Sequence, residues 1–119
     1  MKTLFILFLL FATGLTYAQS TSDYRAWIEA QEDSHMLTIK GKFANDGSQE
    51  ASFRYELVTI KQGRSGSSRS TQAGRFVAPA HQEVSLSNVS VNVGSEDTYV
   101  IELKIFQNHT VLLRDKLEL

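Results

Sequence analysis

The strongest constraint on this chain is an alternation of apolar and polar residues with a period of two. Tyr99-Val100-Ile101-Glu102-Leu103-Lys104-Ile105 sets Tyr99, Ile101, Leu103 and Ile105 on one side. His35-Met36-Leu37-Thr38-Ile39-Lys40-Gly41-Lys42-Phe43 sets Leu37, Ile39 and Phe43 against Lys40 and Lys42, and Phe53, Tyr55 and Leu57 alternate with Arg54 and Glu56. Successive side chains of a strand point to opposite faces, so these are half-buried antiparallel strands. No long window carries the 3.6-residue apolar repeat of an amphipathic helix.

Turn signals separate these runs: Asn45-Asp46-Gly47, Gly63-Arg64-Ser65-Gly66-Ser67-Ser68, Ala78-Pro79-Ala80 and Gly94-Ser95-Glu96-Asp97. The pattern predicts about seven strands, near 24–31, 35–44, 51–61, 69–77, 82–90, 98–107 and 110–118. Short strands at this spacing specify an all-β domain, an immunoglobulin-like (fibronectin III-like) antiparallel sandwich of two sheets. Tyr99, opening the sixth strand after a turn, stands where such sandwiches carry a corner tyrosine. The Gly/Ser/Arg run at 63–70 is expected to be a flexible hairpin loop. Trp27, the lone tryptophan, is assigned to the core between the sheets.

The first residues follow another logic. Lys2, the apolar run Leu4 to Ala12 and the exit Thr16-Tyr17-Ala18 read as a secretory signal peptide over 1–18, with cleavage after Ala18. The run falls short of the roughly 20 apolar residues a membrane-spanning helix needs, so no stable membrane insertion is expected. No cysteine stands near the cut to take a lipid. The domain proper is 19–119, or 119 − 18 = 101 residues, with 12 − 1 = 11 basic side chains against 13 acidic ones. That balance lacks the concentrated positive field that nucleic acid requires.

Export without a single cysteine leaves stability to packing and sheet hydrogen bonds, and it removes thiolate nucleophiles and cysteine-bound metals. His35, His81 and His109 are too scattered to predict a zinc site. The acidic pairs Glu32-Asp33 and Glu96-Asp97 fall in turns, where carboxylates are ordinarily solvated rather than catalytic. Gly63-Arg64-Ser65-Gly66 lacks the context of a nucleophile elbow and the lysine of a phosphate-binding loop. The sequons at Asn88 and Asn108 are treated as incidental. The residues therefore predict no catalytic group, cofactor or metal, and a protein that binds rather than reacts.

If the third and sixth strands pair, their outward face carries Arg54, Glu56, Val58 and Ile60 beside Val100, Glu102, Lys104 and Phe106. Val58, Ile60, Val100 and Phe106 would then form an apolar end that either marks a contact site or joins the core. Lys40 and Lys42, with Arg25 alongside, would form a basic stripe on the other sheet, where charge discourages stray strand pairing.

The run Tyr55 to Ser68, followed by Gln72-Ala73-Gly74-Arg75-Phe76, resembles the curli-associated periplasmic amyloid inhibitors, the CsgH/CsgC-like family, and the CsgH branch more closely. Leu86-Ser87-Asn88-Val89 and Tyr99-Val100-Ile101-Glu102-Leu103 fit the family's last strands, so the resemblance covers roughly Trp27 to Glu118. It implies an immunoglobulin-like sandwich in the periplasm that acts as a monomer. Its partner would be a curlin-type amyloid subunit, kept soluble at low molar ratio. The Cys-x-Cys pair of the CsgC branch is absent here, so a thiol role is absent too. On that reading the client-binding residues are Lys40, Lys42, Arg54, Val58, Ile60 and Lys104. The alternative is a secreted or surface β-sandwich binding module of an adhesion or extracellular matrix system. Its mark would be an exposed aromatic platform or an acidic calcium cluster.

Overall fold

The computed structural model describes residues 19–20, 23–64 and 66–119; the predicted signal peptide lies outside them. The strands are β1 (Gln19–Ser20), β2 (Tyr24–Asp33), β3 (Met36–Asn45), β4 (Ala51–Gly63), β5 (Gly66–Ala78), β6 (Gln82–Asn92), β7 (Thr98–Gln107) and β8 (Thr110–Glu118). All pairings are antiparallel, in two sheets ordered β1-β2-β3-β6 and β5-β4-β7-β8. The seven expected strands are β2 to β8. β5 stays beside β4 instead of crossing to β6, which gives the fibronectin III-like form of the sandwich.

The alternating residues meet between the sheets. Ala26, Ile28, Leu37, Ile39 and Phe43 from one sheet pack on Phe53, Leu57, Tyr99, Ile101, Leu103, Ile105 and Leu113 from the other, all nearly inaccessible. Tyr24, Phe43, Phe53 and Phe76 form an aromatic cluster near one end, with Phe43 and Phe53 centroids 4.8 Å apart at 47°. Such tilted contacts add to area burial because ring edges meet ring faces. Gly41 faces this core: a side chain there would press on Leu103 and the Ser87 hydroxyl.

Three polar groups tie the sheets together. Tyr99 is buried, and its hydroxyl donates to the Asn92 carbonyl at 2.6 Å, so it is the corner tyrosine. Asn45, fully buried at the end of β3, donates from Nδ2 to the carbonyls of Gln49 (2.9 Å) and Ala78 (3.0 Å), and its Oδ1 accepts from the Gly47 amide. Asp115 of β8 points inward and accepts from the Ile28 amide of β2 at 2.9 Å, across the sandwich. Burial pushes its carboxyl up to about 6, against the opposing pull of the Ile28 and Lys116 amides.

Three expectations are corrected. The Gly/Ser/Arg run is not a flexible loop: β4 and β5 stay paired out to Gly63↔Gly66, so only a tight turn remains between them. An edge strand exposed on both faces has no apolar partner to satisfy, so a polar run can extend the ladder. Trp27 is not in the core: it lies out of phase with Ala26 and Ile28, half-buried on the outer face. His35 belongs to the β2–β3 turn rather than to a strand. Ser34 and His35 have φ of 49° and 70°, and Asn108 and His109 have 53° and 68°. Two successive left-handed residues are the geometry of a two-residue hairpin whose twist matches its strands.

Candidate interaction surface

The outer face of the β5-β4-β7-β8 sheet is built by antiparallel register. Its rows run Arg75–Arg54–Phe106, Ala73–Glu56–Lys104–Arg114, Thr71–Val58–Glu102–Lys116 and Arg69–Ile60–Val100–Glu118. β4 and β7 therefore do pair, and Arg54, Val58, Ile60 and Lys104 lie on one surface. The apolar residues split, however. Val58, Ile60 and Val100 adjoin, whereas Phe106 lies at the other end of the strands beneath the Arg54 guanidinium, 4.6 Å from its ring centroid. Val58 is 6% exposed yet stands outside the inter-sheet core, roofed by its neighbours on the outer face.

Across these rows Arg54, Arg69, Arg75, Lys104, Arg114 and Lys116 face only Glu56, Glu102 and Glu118. The ion pairs within the face are long: 3.8 Å for Arg54–Glu56, 3.9 Å for Lys104–Glu102 and 3.4 Å for Lys116–Glu118. Exposed pairs of this kind hold their cations weakly, so the face keeps a positive field. Arg69, Arg75, Arg114 and Lys116 were not among the expected contact residues. Their signal was in the sequence: each keeps the two-residue phase of its strand's outer side.

Lys40 and Lys42 stand on the opposite sheet, facing away from the other four residues. Lys40 is paired in register with Glu29 and Asn88, and Lys42 with Trp27 and Ser85. The six expected residues therefore make two surfaces on opposite sides of the sandwich, separated by two sheets about 10 Å apart. The second surface is mixed rather than a basic stripe. The Trp27 indole N–H donates to Glu29 at 3.0 Å, and the Arg25 guanidinium lies 5.3 Å from the indole centroid. Arg25 in turn grips Asp46 at 2.7 Å, holding that carboxyl below its ordinary value and raising its own.

At one end of the sandwich, a cleft opens over Leu37, Val93 and Tyr99, rimmed by Glu32 and Asp97. Asp97 is engaged already: it accepts from the Gly94 amide at 2.8 Å and pairs with Lys61 at 3.3 Å. A side chain at Gly63 or Gly94 would collide with that carboxylate. Among the described residues, no three acidic or histidine side chains converge as metal ligands.

Comparisons place this architecture. The solution structure of R. palustris CsgH superposes with a TM-score of 0.63 at 26% identity, covering 80% of this chain and 91% of that one. The E. coli curli protein CsgC superposes with a TM-score of 0.61 at 20% identity, covering 79% and 93%, a likeness of fold. A comparison with curated protein sequences gives no match. The family model described as CsgH protein matches residues 25–116, from the second strand to the last, and the chain thus belongs to the CsgH family.

Proposed function

We infer that this protein is a periplasmic, chaperone-like inhibitor that holds back premature amyloid assembly of a curlin-type fibre subunit by noncovalent contact. Family membership, together with the curli protein among its structural neighbours, supports the curli setting. The observation that carries the mode of action is the cationic face around Arg54 and Lys104, where six basic side chains meet three carboxylates. Fibre assembly passes through rare nuclei and ends with unpaired strand edges, so an inhibitor acting there can be substoichiometric. A positive face accelerates encounter with acidic chains and does so less at high salt. With no cysteine in the chain, the contact involves no thiol exchange.

The test is thioflavin fluorescence of a purified curlin-type subunit with the mature protein at about one part in a hundred. A greatly lengthened lag is expected, shortened again in Arg54→Glu/Lys104→Glu with the melting transition retained. No delay even at equal concentration refutes the inhibitor reading. An undiminished delay in the charge-reversed variant refutes the electrostatic part.

The alternative, a surface-binding module, is favoured by one observation: Trp27 lies half-buried on an outer face in one row with Lys42 and Ser85, between Arg25 and Glu29 of its own strand. As the lone tryptophan, it would report ligand by its own fluorescence. A saturable emission change on adding soluble glycans would support that reading, and an unchanged spectrum would remove it.

A further inference from the structure

Hydrogen-bond phase singles out one edge of the sandwich. Tyr99 and Leu119 exchange both backbone hydrogen bonds, at 3.0 and 2.9 Å, so the odd residues of β7 face β8. Antiparallel pairs alternate between bonded and non-bonded. The even residues of β7 therefore face β4, the odd residues of β4 face β5, and Ser68, Ser70, Gln72, Gly74 and Phe76 face back to β4. The amide and carbonyl groups of Ser67, Arg69, Thr71, Ala73, Arg75 and Val77 point away from the sheet.

The other three edges are each covered or interrupted along part of their length. β2 is met by β1 at Arg25 and Ala26, and its Ile28 amide is taken by Asp115. On β8 the register shifts near Phe106, and the Lys116 amide bonds Asp115 at 3.0 Å. β6 is interrupted opposite Gly41 and Lys42. β5 runs without a register shift or proline from Gly66 to Ala78, and no strand covers any part of its outer side as β1 covers part of β2. Long regular edges are usually broken because they template pairing with other chains, so an unbroken one needs an explanation.

The side chains say which strand fits. Gly66–Ala78 carries Arg69 and Arg75 and no acidic residue. A second copy pairing antiparallel about Gln72 would set Arg69 against Arg75 twice, and like charges directly opposite are destabilising. An acidic strand in the same place would meet both arginines with opposite charge. Small polar residues, Ser68, Ser70, Gln72 and Gly74, line the other side, and Val77, 51% exposed, offers an apolar contact at the end. We propose that β5 is a docking edge that adds one extended, acidic, otherwise polar strand of an unfolded partner to the β5-β4-β7-β8 sheet. The recognition rests on the inhibitor reading only in making that partner the fibre subunit. Strand addition itself is independent of it: backbone bonds give affinity and alternate side chains give selectivity.

The probe is a blocked peptide of about nine residues, built from Thr, Ser, Gln and Gly, with two aspartates spaced as Arg69 and Arg75 are. A control carries lysines at those places. Amide exchange followed by NMR should slow at Arg69, Thr71, Ala73 and Arg75 on adding the acidic peptide, and stay unchanged at Ser70 and Gln72. Ala73→Pro removes one outward donor while sparing the ladder to β4, because proline is tolerated on an edge strand where its nitrogen faces solvent. It should weaken the peptide at least tenfold. Arg69→Glu/Arg75→Glu should exchange the preference to the lysine peptide. Protection on another strand, no protection, or unchanged affinity in both variants overturns the proposal. So does a concentration-dependent dimer, by sedimentation, that Ala73→Pro abolishes. Peptide capture at β5 by a protein that fails to delay fibres would leave the docking edge standing and refute the inhibitor reading. Full inhibition by Ala73→Pro, with its peptide binding lost, would separate the edge from inhibition.

Discussion

Replacing Asp115 by asparagine should remove a loss of stability that this domain otherwise suffers as pH rises from about 4 to 6. The carboxylate is 3% exposed between the sheets, with the Ile28 and Lys116 amides as partners. Its folded value of about 6 lies above the 3.8 of an unconstrained aspartate. Well below pH 3.8 both states carry the proton, and the folded state keeps its full advantage. As pH rises toward 6 the unfolded chain ionises first, so folding becomes progressively less favourable. The gap of about two units, at about 1.4 kcal/mol per unit, corresponds to about 3 kcal/mol lost across that window. Asparagine has nothing to ionise, and its amide oxygen can still accept from Ile28. Urea unfolding of both proteins between pH 3.5 and 7.5 reads the difference directly. Asp46, whose folded value is lowered by Arg25, titrates alike in both proteins and cancels. The variant should gain on the parent by about 2–3 kcal/mol from the acid to the neutral end. Parallel stability profiles would refute the buried-acid argument. Asp115→Ala should lie about 1–3 kcal/mol below the asparagine variant at every pH, by leaving the Ile28 amide without its acceptor.

Two other substitutions test single interactions. Asn45→Ala removes three hydrogen bonds at a fully buried position and should cost about 3 kcal/mol, read as a lower urea midpoint at constant slope. Ser87→Ala should be neutral or stabilising by up to about 1 kcal/mol, because the Ser87 hydroxyl is buried beside Gly41 without a hydrogen-bond partner; a loss of stability by the same measurement would imply a bound water there.

Much of this fold was legible because the period of the sequence and the period of a strand coincide. Leu37-Ile39 and Tyr99-Ile101-Leu103-Ile105 announce both the strand and the buried side. Trp27 was misplaced by residue type where phase would have placed it correctly, since Ala26 and Ile28 already claim the inner face. The phase of Asp115 with Leu113 and Leu117 likewise marks it as an inward acid. Other features have no local signature. The Ser34-His35 turn lacks the glycine or asparagine that announces such hairpins, and the Gly63–Ser70 run reads as loop until β4 holds it in register. Lys40 and Lys42 were set on the other sheet from Arg54 and Lys104 at the outset, but the mixed character of their surface needed the register that brings Glu29 and Trp27 beside them.

The polar ties at Asn45 and Tyr99 bear on how the domain assembles. Hairpins β2–β3, β4–β5 and β7–β8 each join neighbours within one sheet, so they can form with little loop entropy to overcome. Crossing between sheets happens only after β3, β5 and β6. Asn45 spans the first two crossings, tying the end of β3 to the end of β5, and Tyr99 closes the third onto Asn92. Neither bond can form in an isolated hairpin. The chain therefore earns its late, long-range contacts together, and a rate-limiting step that joins the two sheets would slow when either tie is removed.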